Sequence, residues 1–174
     1  MLVVLSGLPG TGKTTIAKAL AARRPATYLR IDEIEHALSQ AAPGQDPGPA
    51  GYLVAFAIAA SNLQLGNLVI ADCVNPVAES RQGWHGVARN AASPILDVEI
   101  ICSDKAEHRS RVETRTADIP GFALPTWQHI MARDYAPWTQ PRLLLDTASL
   151  SPHDAAARIE AGIDTLTAQT RCDI

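Results

Sequence analysis

The sequence of 174 residues contains few cysteines, few aromatic side chains and no long apolar run. Its three cysteines, Cys73, Cys102 and Cys172, are widely spaced, and none belongs to a C-x-x-C pair. This spacing argues against a disulfide framework or a zinc site and favours buried free thiols in a reducing compartment. No apolar run approaches the length of a membrane span, and the chain begins directly with an apolar strand, which leaves no room for a signal peptide. We therefore expect a cytoplasmic protein without a membrane partner.

A basic excess is also missing. The formal net charge is −3, from 15 lysines and arginines against 18 aspartates and glutamates. Because a long nucleic-acid footprint requires a basic face, this balance argues against long nucleic acid as a partner but leaves a nucleotide or a strand end open. The five histidines have no metal-ligand spacing, and neither an internal repeat nor an interdomain linker is present. We expect one domain over residues 1–174.

One short stretch near the start has a highly specific pattern. An apolar run at 2–5 is followed by a G-x-x-x-x-G-K-T motif and then by a segment, 15–22, that is typical of a helix. Glycines in such a turn let backbone N–H groups surround a phosphate, and the helix N-terminus adds partial positive charge. Lys13 can then reach the β- and γ-phosphates, and the hydroxyl of Thr14 can bind Mg²⁺. The predicted nucleotide-binding residues of this P-loop are Gly7, Leu8, Pro9, Gly10, Thr11, Gly12, Lys13, Thr14 and Thr15.

Strand-like runs alternate with helix-like segments along the whole chain. The predicted strands cover 2–5, 27–31, 68–71, 95–102 and 142–145. The predicted helices cover 15–23, 33–38, a buried 52–65, 77–91, 104–116 capped by Ser103, 126–134 capped by Thr126, and 151–167, with a Pro/Gly-rich loop at 41–51. This alternation indicates a parallel sheet with helices on both faces, whose ligands bind beyond the carboxyl ends of the strands. Gly7, Asp32, Asp72 and Ser103 each follow a predicted strand, so we expect them at one edge of the sheet.

Asp72 follows the apolar run Leu-Val-Ile-Ala, which has the form of a Walker B strand. Its carboxylate would orient Mg²⁺ opposite Thr14, directly or through a water. The alternative is an ordinary aspartate in a turn at the end of a strand. Beside a P-loop we favour the first reading, so Thr14 and Asp72 form the predicted magnesium site.

Asp32 stands at the end of the second predicted strand, where a carboxylate would face the γ-phosphate across a cleft. There it could take the proton from an acceptor hydroxyl, or align that hydroxyl for in-line transfer. The alternative is a helix cap, since Glu35 three residues later gives a spacing like that of a capping box. The two roles are compatible because a cap holds the side chain still.

Three arginines lie on or near the end of the helix predicted at 104–116. Arg111 and Arg115 share a face by i,i+4 spacing and could direct two guanidinium groups at triphosphate oxygens when a lid closes. Arg109 could contact the nucleotide as well. The alternative is a solvated helix face with surface ion pairs to nearby glutamates. We favour a lid at about 109–125 in which Arg111 and Arg115 are catalytic.

The acceptor of a transferred phosphoryl group is expected to bind in the region 32–90. Candidate contacts there, besides Asp32, are Tyr52, Arg81, Trp84 and His85. The aromatic residues Trp127, Tyr135 and Trp138 are expected to pack the lid region rather than to stack on bases.

With these parts assembled, the chain resembles the small P-loop kinases of the adenylate-kinase-like group. The resemblance is carried by Gly-Leu-Pro-Gly-Thr-Gly-Lys-Thr-Thr at 7–15, Arg-Ile-Asp-Glu-Ile at 30–34, Val-Ile-Ala-Asp at 69–72 and Glu107-x-x-x-Arg111-x-x-x-Arg115. The segment Tyr135-Ala-Pro-Trp is similar to the end of adenylylsulfate kinases. Similar short bacterial chains are AAA-family ATPases or predicted kinases, near the chloramphenicol phosphotransferases. The resemblance implies a three-layer α/β P-loop NTPase fold, with five parallel strands in the order 2-3-1-4-5 and a small lid, and ATP with Mg²⁺ as the phosphoryl donor.

By the same resemblance, Asp32 matches an acceptor-binding aspartate that serves as base in several relatives. The acceptor stays open, because the sequence has neither the acceptor signature of adenylylsulfate kinases nor the acceptor-arginine pattern of nucleoside monophosphate kinases. We therefore expect an ATP-dependent phosphotransferase that acts on a hydroxyl of a small molecule, as a monomer or homodimer. The alternatives are a nucleoside, nucleotide or polynucleotide-end kinase, and a regulator that hydrolyses ATP slowly.

Overall fold

The computed structural model describes residues 1–172. Within that range five strands form one sheet: β1 (Leu2–Ser6), β2 (Thr27–Arg30), β3 (Val69–Asp72), β4 (Ile95–Ile101) and β5 (Leu143–Asp146). All neighbouring strands are parallel, and their spatial order is β2-β3-β1-β4-β5. The predicted order 2-3-1-4-5 is thus confirmed.

Helices cover both faces of the sheet. Over the same residues they are α1 (Lys13–Arg23), α2 (Ile31–Ala41), α3 (Ala50–Gln64), α4 (Ala78–Asn90), α5 (Lys105–Thr114), α6 (Trp127–Met131) and α7 (Pro152–Cys172). None of these helices combines the length and the apolar composition that crossing a bilayer requires.

The central strand β1 explains why the sheet needs cover on both sides. Val3 and Leu5 point into a core that α1 and α7 close, whereas Leu2 and Val4 point into a second core beneath α3 and α4. All four side chains are fully buried. Since successive side chains of a strand alternate between the two faces, a continuous apolar run is the pattern that a strand buried on both faces requires.

The helix α3 differs from its prediction in two ways. It begins at Ala50, inside the segment predicted as a loop, so that only 42–49 remain irregular between α2 and α3. It is also buried on one side only: Ala55 and Ala59 have no exposed surface, but Leu53 is 61% exposed. The apolar composition of this helix therefore overstated its burial.

Three other helix starts were predicted, and side chains cap two of them. The N-cap of α5 is Asp104 rather than the predicted Ser103, because the Asp104 carboxylate accepts hydrogen bonds from the N–H groups of Ala106 and Glu107. Thr126 does cap α6, as predicted, but that helix ends at Met131 instead of reaching 134. Asp32 lies just beyond the end of β2, in the first turn of α2; the N-cap of that helix is Arg30 without a side-chain cap hydrogen bond, so the alternative of Asp32 as a helix cap is wrong.

Two of the cysteines are buried free thiols, as predicted. Burial raises the pKa of both Cys73 and Cys102, which keeps them protonated and unreactive. The prediction for Cys172 lies outside the side chains that the structure describes.

Candidate active site

The loop between β1 and α1 contains three glycines with positive φ. The φ angles of Gly7, Gly10 and Gly12 are +146°, +86° and +97°, which residues with a side chain rarely adopt. Space is restricted as well, since a Cβ added to Gly7 would collide with the carbonyl oxygen of Ile100. A side chain at any of these positions would strain the loop, so the turn requires glycine for its own backbone.

Lys13 is the first residue of α1 and lies against this loop. Its Nζ donates a hydrogen bond of 3.0 Å to the carbonyl oxygen of Leu8, and the residue is only 8% exposed. Burial lowers the pKa of Lys13, while the carboxylates of Asp72 and Asp32 act in the opposite direction. The ammonium group is therefore a poorly solvated cation beside the glycine turn, which is suited to pairing with an anion.

Thr14 and Asp72 meet on the other side of the loop. The hydroxyl of Thr14 donates to Oδ2 of Asp72 at 2.7 Å, and the hydroxyl of Tyr28 donates to the same oxygen at 2.8 Å. Burial, then the Asp72 charge, raises the pKa of Tyr28, so its phenol stays a donor. Hydroxyl and carboxylate oxygens are the ligands that Mg²⁺ prefers, and the donor set fits the predicted magnesium site. No sequence pattern around Tyr28 predicts its hydrogen bond to Asp72.

A cleft of about 710 Å³ runs along the carboxyl edge of the sheet. Its lining comes from the P-loop and the start of α1, from α2 and α3, and from the segment 114–125. The predicted site residues that line it are Gly10, Gly12, Lys13, Thr14, Thr15, Asp32, Tyr52, Asp72, Arg111 and Arg115, with Pro9 also at the loop. The lining residues with polar side chains that the sequence reasoning missed include Arg30, Glu35, Arg133 and Thr147. A volume of this size suits a small-molecule site.

Asp32, Glu35 and Tyr52 line the same cleft from α2 and α3, and the charge of Asp32 acts on the pKa of Lys13. Asp32 and Glu35 are one turn apart on α2, and burial, then the Asp32 charge, raises the pKa of Glu35 to about 6. Tyr52 accepts a hydrogen bond of 2.9 Å from the backbone N–H of Asn75, so its own hydroxyl proton can be donated into the cleft. These three residues therefore offer two carboxylates and a phenol to the cleft.

Arg111 is tied to the P-loop through β5. Its guanidinium donates to the side-chain and main-chain oxygens of Thr147, at 2.9 and 3.0 Å, and also bonds the carboxylate of Glu107. The hydroxyl of Thr147 in turn lies 2.9 Å from the carbonyl oxygen of Thr11. Arg111 thus reaches the phosphate end of the cleft from a fixed position.

Arg115 and Arg109 occupy very different surroundings. Arg115 follows the last residue of α5 in extended conformation, with φ −67° and ψ 144°, so it does not share a helix face with Arg111 as predicted. Burial lowers the pKa of Arg115, with the Asp32 carboxylate opposing, and its Nε has no partner among the described residues. Arg109 is an exposed residue paired with Glu113 at 2.8 Å, away from the cleft. Arg109 therefore lies on a solvated helix face with a surface ion pair, which was the alternative prediction.

The segment 114–125 is held to the sheet by Asp118. The carboxylate of Asp118 accepts two hydrogen bonds from Arg30, at 2.8 and 2.9 Å, and one from Lys18 at 2.9 Å. These bonds hold the pKa of Asp118 well below its usual range. The side chain of Arg30 is 9% exposed, so the ion pair is a buried guanidinium joined to a half-exposed carboxylate.

Arg81, Trp84 and His85 lie outside this cleft, which differs from their prediction as acceptor contacts. Trp84 is fully buried in the core between the sheet and α4, with its ring 4.7 Å from that of Phe56. Arg81 donates to backbone carbonyls, including that of Ala136 at 2.7 Å, and lies over the ring of Trp138. The ring of His85 bonds the buried carboxylate of Asp97 at 2.7 Å. Contacts outside the cleft thus hold all three side chains.

The glycine turn, the Lys-Thr pair at the start of α1 and the carboxylate on the adjacent strand define the fold and site of the P-loop NTPases. The chain belongs to the AAA domain family, whose model matches residues 2–133. No curated protein matches the chain.

Solved kinases share this fold over nearly the whole chain. A candidate kinase from Chloroflexus aurantiacus j-10-fl is 18% identical, with 94% of this chain and 96% of that one covered and a TM-score of 0.74. The APS kinase of Mycobacterium tuberculosis, in complex with AMPPNP and APS, is 21% identical, with 94% and 96% covered and a TM-score of 0.71. A gluconokinase from Sinorhizobium meliloti 1021 is 17% identical, with 98% and 95% covered and a TM-score of 0.68. These likenesses establish the P-loop kinase fold.

Proposed function

We propose that this protein is an ATP-dependent phosphotransferase that moves the γ-phosphate to a hydroxyl of a small molecule. The observation that carries the proposal is that the carboxylate of Asp32 and the phosphate-loop residues Lys13 and Thr14 line one cleft. A site that binds only a nucleotide does not require this additional carboxylate. A cleft that continues past the phosphate site to a carboxylate, a phenol and apolar side chains has room for an acceptor beside the nucleotide.

In the proposed reaction the acceptor oxygen forms a bond to the γ-phosphorus while the bond from that phosphorus to the bridging oxygen breaks. ADP leaves with the electron pair of the broken bond, and the proton of the acceptor hydroxyl passes to the Asp32 carboxylate and then to water. Lys13, Arg111 and Arg115 would neutralise charge on the phosphoryl oxygens. Asp32 acts as general base or as the group that orients the acceptor, and either role needs the carboxylate near the hydroxyl.

Thr14 and Asp72 would hold the Mg²⁺ ion that accompanies ATP. When bound, the ion neutralises charge on the phosphate oxygens. The lysine and the arginines alone neutralise that charge incompletely. Tyr28 keeps Oδ2 of Asp72 in place by its hydrogen bond of 2.8 Å. The P-loop residues from Gly7 to Thr15 would surround the phosphates, and the whole chain, 1–174, would act as one kinase domain in which 109–125 is the lid.

The test is ADP formation from ATP and Mg²⁺ against a panel of acceptors: nucleosides, nucleotides, adenylylsulfate, sugars and hydroxylated antibiotics. One acceptor should raise turnover by orders of magnitude and appear phosphorylated by mass spectrometry. Asp32→Asn should then lower kcat by about 10²- to 10⁴-fold, the usual contribution of a positioned general base. The matched control is Asp134→Asn, since Asp134 is exposed and outside the cleft-lining set; it should leave turnover unchanged.

The alternative functions give different results in the same assay. A nucleotide or polynucleotide-end kinase would use only the corresponding members of the panel. A regulator that hydrolyses ATP slowly would release phosphate at a rate that no acceptor changes, and Asp32→Asn would then behave like the wild type. That second outcome would refute the phosphotransferase proposal.

A further inference from the structure

Asn75 is a buried residue with an uncommon backbone conformation in the connection between β3 and α4. Its φ is +51°, and within residues 1–172 the only other residue with a side chain and a positive φ is Ala92, at +46°. Asn75 has no exposed surface. Asparagine enters the left-handed region more readily than most residues, but it keeps that conformation only where its surroundings fix it. The hydrogen bonds of Asn75 identify those surroundings.

Two of these hydrogen bonds join separate parts of the molecule. The backbone N–H of Asn75 donates to the hydroxyl oxygen of Tyr52 on α3 at 2.9 Å. Its side-chain Nδ2 donates at 3.0 Å to Oγ of Ser6, a fully buried residue directly before Gly7 of the P-loop. The N–H of Gly7 in turn donates to the carbonyl oxygen of Val74 at 3.1 Å. Asn75 thus connects the phenol of Tyr52 to the start of the phosphate loop.

The bond to Asn75 decides how the Tyr52 hydroxyl can use its proton. A phenol has a single proton, and an oxygen that accepts from an N–H group must donate that proton to something else. Tyr52 lines the cleft, and in the part of the chain that the structure describes its hydroxyl has no hydrogen-bond partner except Asn75. The proton is therefore available to a molecule bound in the cleft.

Tyr52 and Asp32 line the same cleft but have different hydrogen-bonding capacity. As the proposed base, the Asp32 carboxylate accepts a hydrogen bond, so it suits the hydroxyl that gives up its proton on phosphorylation. The Tyr52 phenol donates, so it suits an oxygen lone pair. Donation to the attacking oxygen itself would withdraw electron density from the nucleophile. A second oxygen of the acceptor is therefore the group that fits Tyr52.

We propose that Asn75 is a positioning residue that holds the Tyr52 phenol as a hydrogen-bond donor to the phosphoryl acceptor. Tyr52 is then a specificity-determining residue, and the acceptor has, besides the hydroxyl that is phosphorylated, a second oxygen that accepts a hydrogen bond. Diols, hydroxy ethers and hydroxycarbonyl compounds have such a pair of oxygens. This inference rests on the proposed phosphotransferase function, because it concerns the acceptor of that reaction.

The first experiment needs no acceptor. Backbone amide resonances of the full-length protein are compared by NMR in the wild type and in Tyr52→Phe. Loss of the phenol oxygen should shift the Asn75 amide proton upfield and speed its exchange with solvent about 5-fold, because a protecting hydrogen bond is lost. The Gly7 amide, which is bonded to Val74, is the internal control and should not change. An unchanged Asn75 resonance would overturn this inference and leave the phosphotransferase proposal standing.

The second experiment measures the coupling of the two residues with the panel member that is phosphorylated. Tyr52→Phe and Asn75→Gly should each raise the acceptor KM about 3- to 10-fold, while kcat and the KM for ATP change less than about twofold. Glycine keeps the positive φ without strain and removes only the amide that bonds Ser6. The double variant should be no worse than Tyr52→Phe alone, since Asn75 acts through the phenol.

Ala92→Gly is the matched control for Asn75→Gly. Ala92 also has a positive φ, but it is exposed and outside the cleft-lining set, so the acceptor KM should not change. Effects of Tyr52→Phe and Asn75→Gly that multiply, or an acceptor KM that neither variant changes, would overturn the positioning role. ATP hydrolysis that no acceptor changes would overturn the phosphotransferase proposal, and the acceptor role of Tyr52 with it.

The second oxygen is tested with analogues of the same acceptor, each lacking one oxygen, as the deoxy forms of a sugar do. One analogue should have a KM about 3- to 10-fold above that of the parent compound in the wild type, and a KM equal to the parent's in Tyr52→Phe. Analogues whose losses are the same in both proteins would show that none of these oxygens bonds Tyr52 and would overturn the assignment.

Discussion

The guanidinium of Arg30 and the carboxylate of Asp118 form two parallel hydrogen bonds, of 2.8 and 2.9 Å, between residues 88 positions apart in the chain. Arg30 is the last residue of β2, and Asp118 lies in the segment that closes one side of the cleft. A bidentate pair of this kind fixes direction as well as distance. It therefore couples the position of the 114–125 segment to the edge of the sheet.

Asp118→Asn should loosen that segment. The variant removes the bidentate partner of the buried Arg30 guanidinium and leaves it only the longer contact with Glu33 at 3.4 Å, so we expect faster amide hydrogen exchange over 116–124, with the core strands unchanged. Because the folded-state pKa of Asp118 lies below its ordinary value of 3.8, the contribution is present above pH 3.8 and is lost as the pH falls further. Glu113→Gln, which breaks the exposed pair with Arg109, is the control and should leave exchange unaffected. Equal exchange in both variants would contradict the coupling.

Lys13→Met should separate ligand binding from stability. Loss of a charged donor beside the P-loop is expected to weaken ATP-Mg²⁺ binding by roughly 10- to 100-fold. The free protein should nevertheless melt higher at pH 7, because burial lowers the pKa of Lys13 and the ammonium destabilises the fold at every pH below that pKa. The gain should vanish above pH 10.5, where the lysine is neutral in both states. Melting curves with and without nucleotide measure both effects, and Lys105→Met, at an exposed lysine, should show neither.

Glu35→Gln should also stabilise the protein, in a defined pH range. The pKa of Glu35 is about 6 when folded and 4.5 ordinarily, so its charge costs stability fully above pH 6 and not at all below pH 4.5. Burial is the main cause of the raised pKa; the charges of Asp32 on the same helix and Asp46 in the loop 42–49 add to it, and Arg133 after α6 opposes it. Melting temperatures of the variant and the wild type should coincide near pH 4 and differ at pH 8. A variant less stable at pH 8 would contradict the burial of the charge.

Arg81→Ala should act on stability rather than on acceptor binding. Arg81 is 6% exposed and donates to the carbonyl oxygens of Asn75, Ala136 and Pro137 at 2.7–3.1 Å. Truncation removes all these hydrogen bonds of a buried side chain, so we expect a loss of about 3 kcal/mol in the free energy of unfolding.

Denaturant unfolding measures that loss, with Arg89→Ala as the control on the exposed face of α4; it should stay within about 0.5 kcal/mol of the wild type. The milder Arg81→Lys should keep the acceptor KM within about twofold, as expected for a residue without substrate contact. A KM raised about 10-fold at unchanged stability would restore Arg81 to the acceptor site.

The parts that could be predicted depend on residues close together in the chain. The conformation of 7–15 and its phosphate chemistry follow from the local order of glycines, lysine and threonine. The position of Asp72 could be predicted because the apolar run of a buried strand stops where the strand ends. Parallel strands also have their carboxyl ends at one edge of the sheet. Where prediction missed by one or two residues, as at Asp104, the competing caps were adjacent and both chemically suitable.

The failures concern side chains whose direction depends on packing. The helical pattern of α4 predicted the helix itself, but Arg81 and His85 are held outside the cleft by the carbonyl oxygen of Ala136 and the carboxylate of Asp97. Arg115 is four residues after Arg111, but the helix ends at Thr114. The i,i+4 spacing places two side chains on one face only within a helix, so it does not apply to this pair.

The sequence by itself determined the phosphate loop, the parallel α/β sheet and the strand-end aspartate at 72, because each follows from neighbouring residues and their period. Only the tertiary structure decided that Tyr28 bonds Asp72 across 44 residues, that Arg30 holds Asp118, and that Glu35 lies half-buried in the lining of the cleft. Those contacts join separate elements, and their geometry arises from how strands and helices pack, which no local pattern encodes.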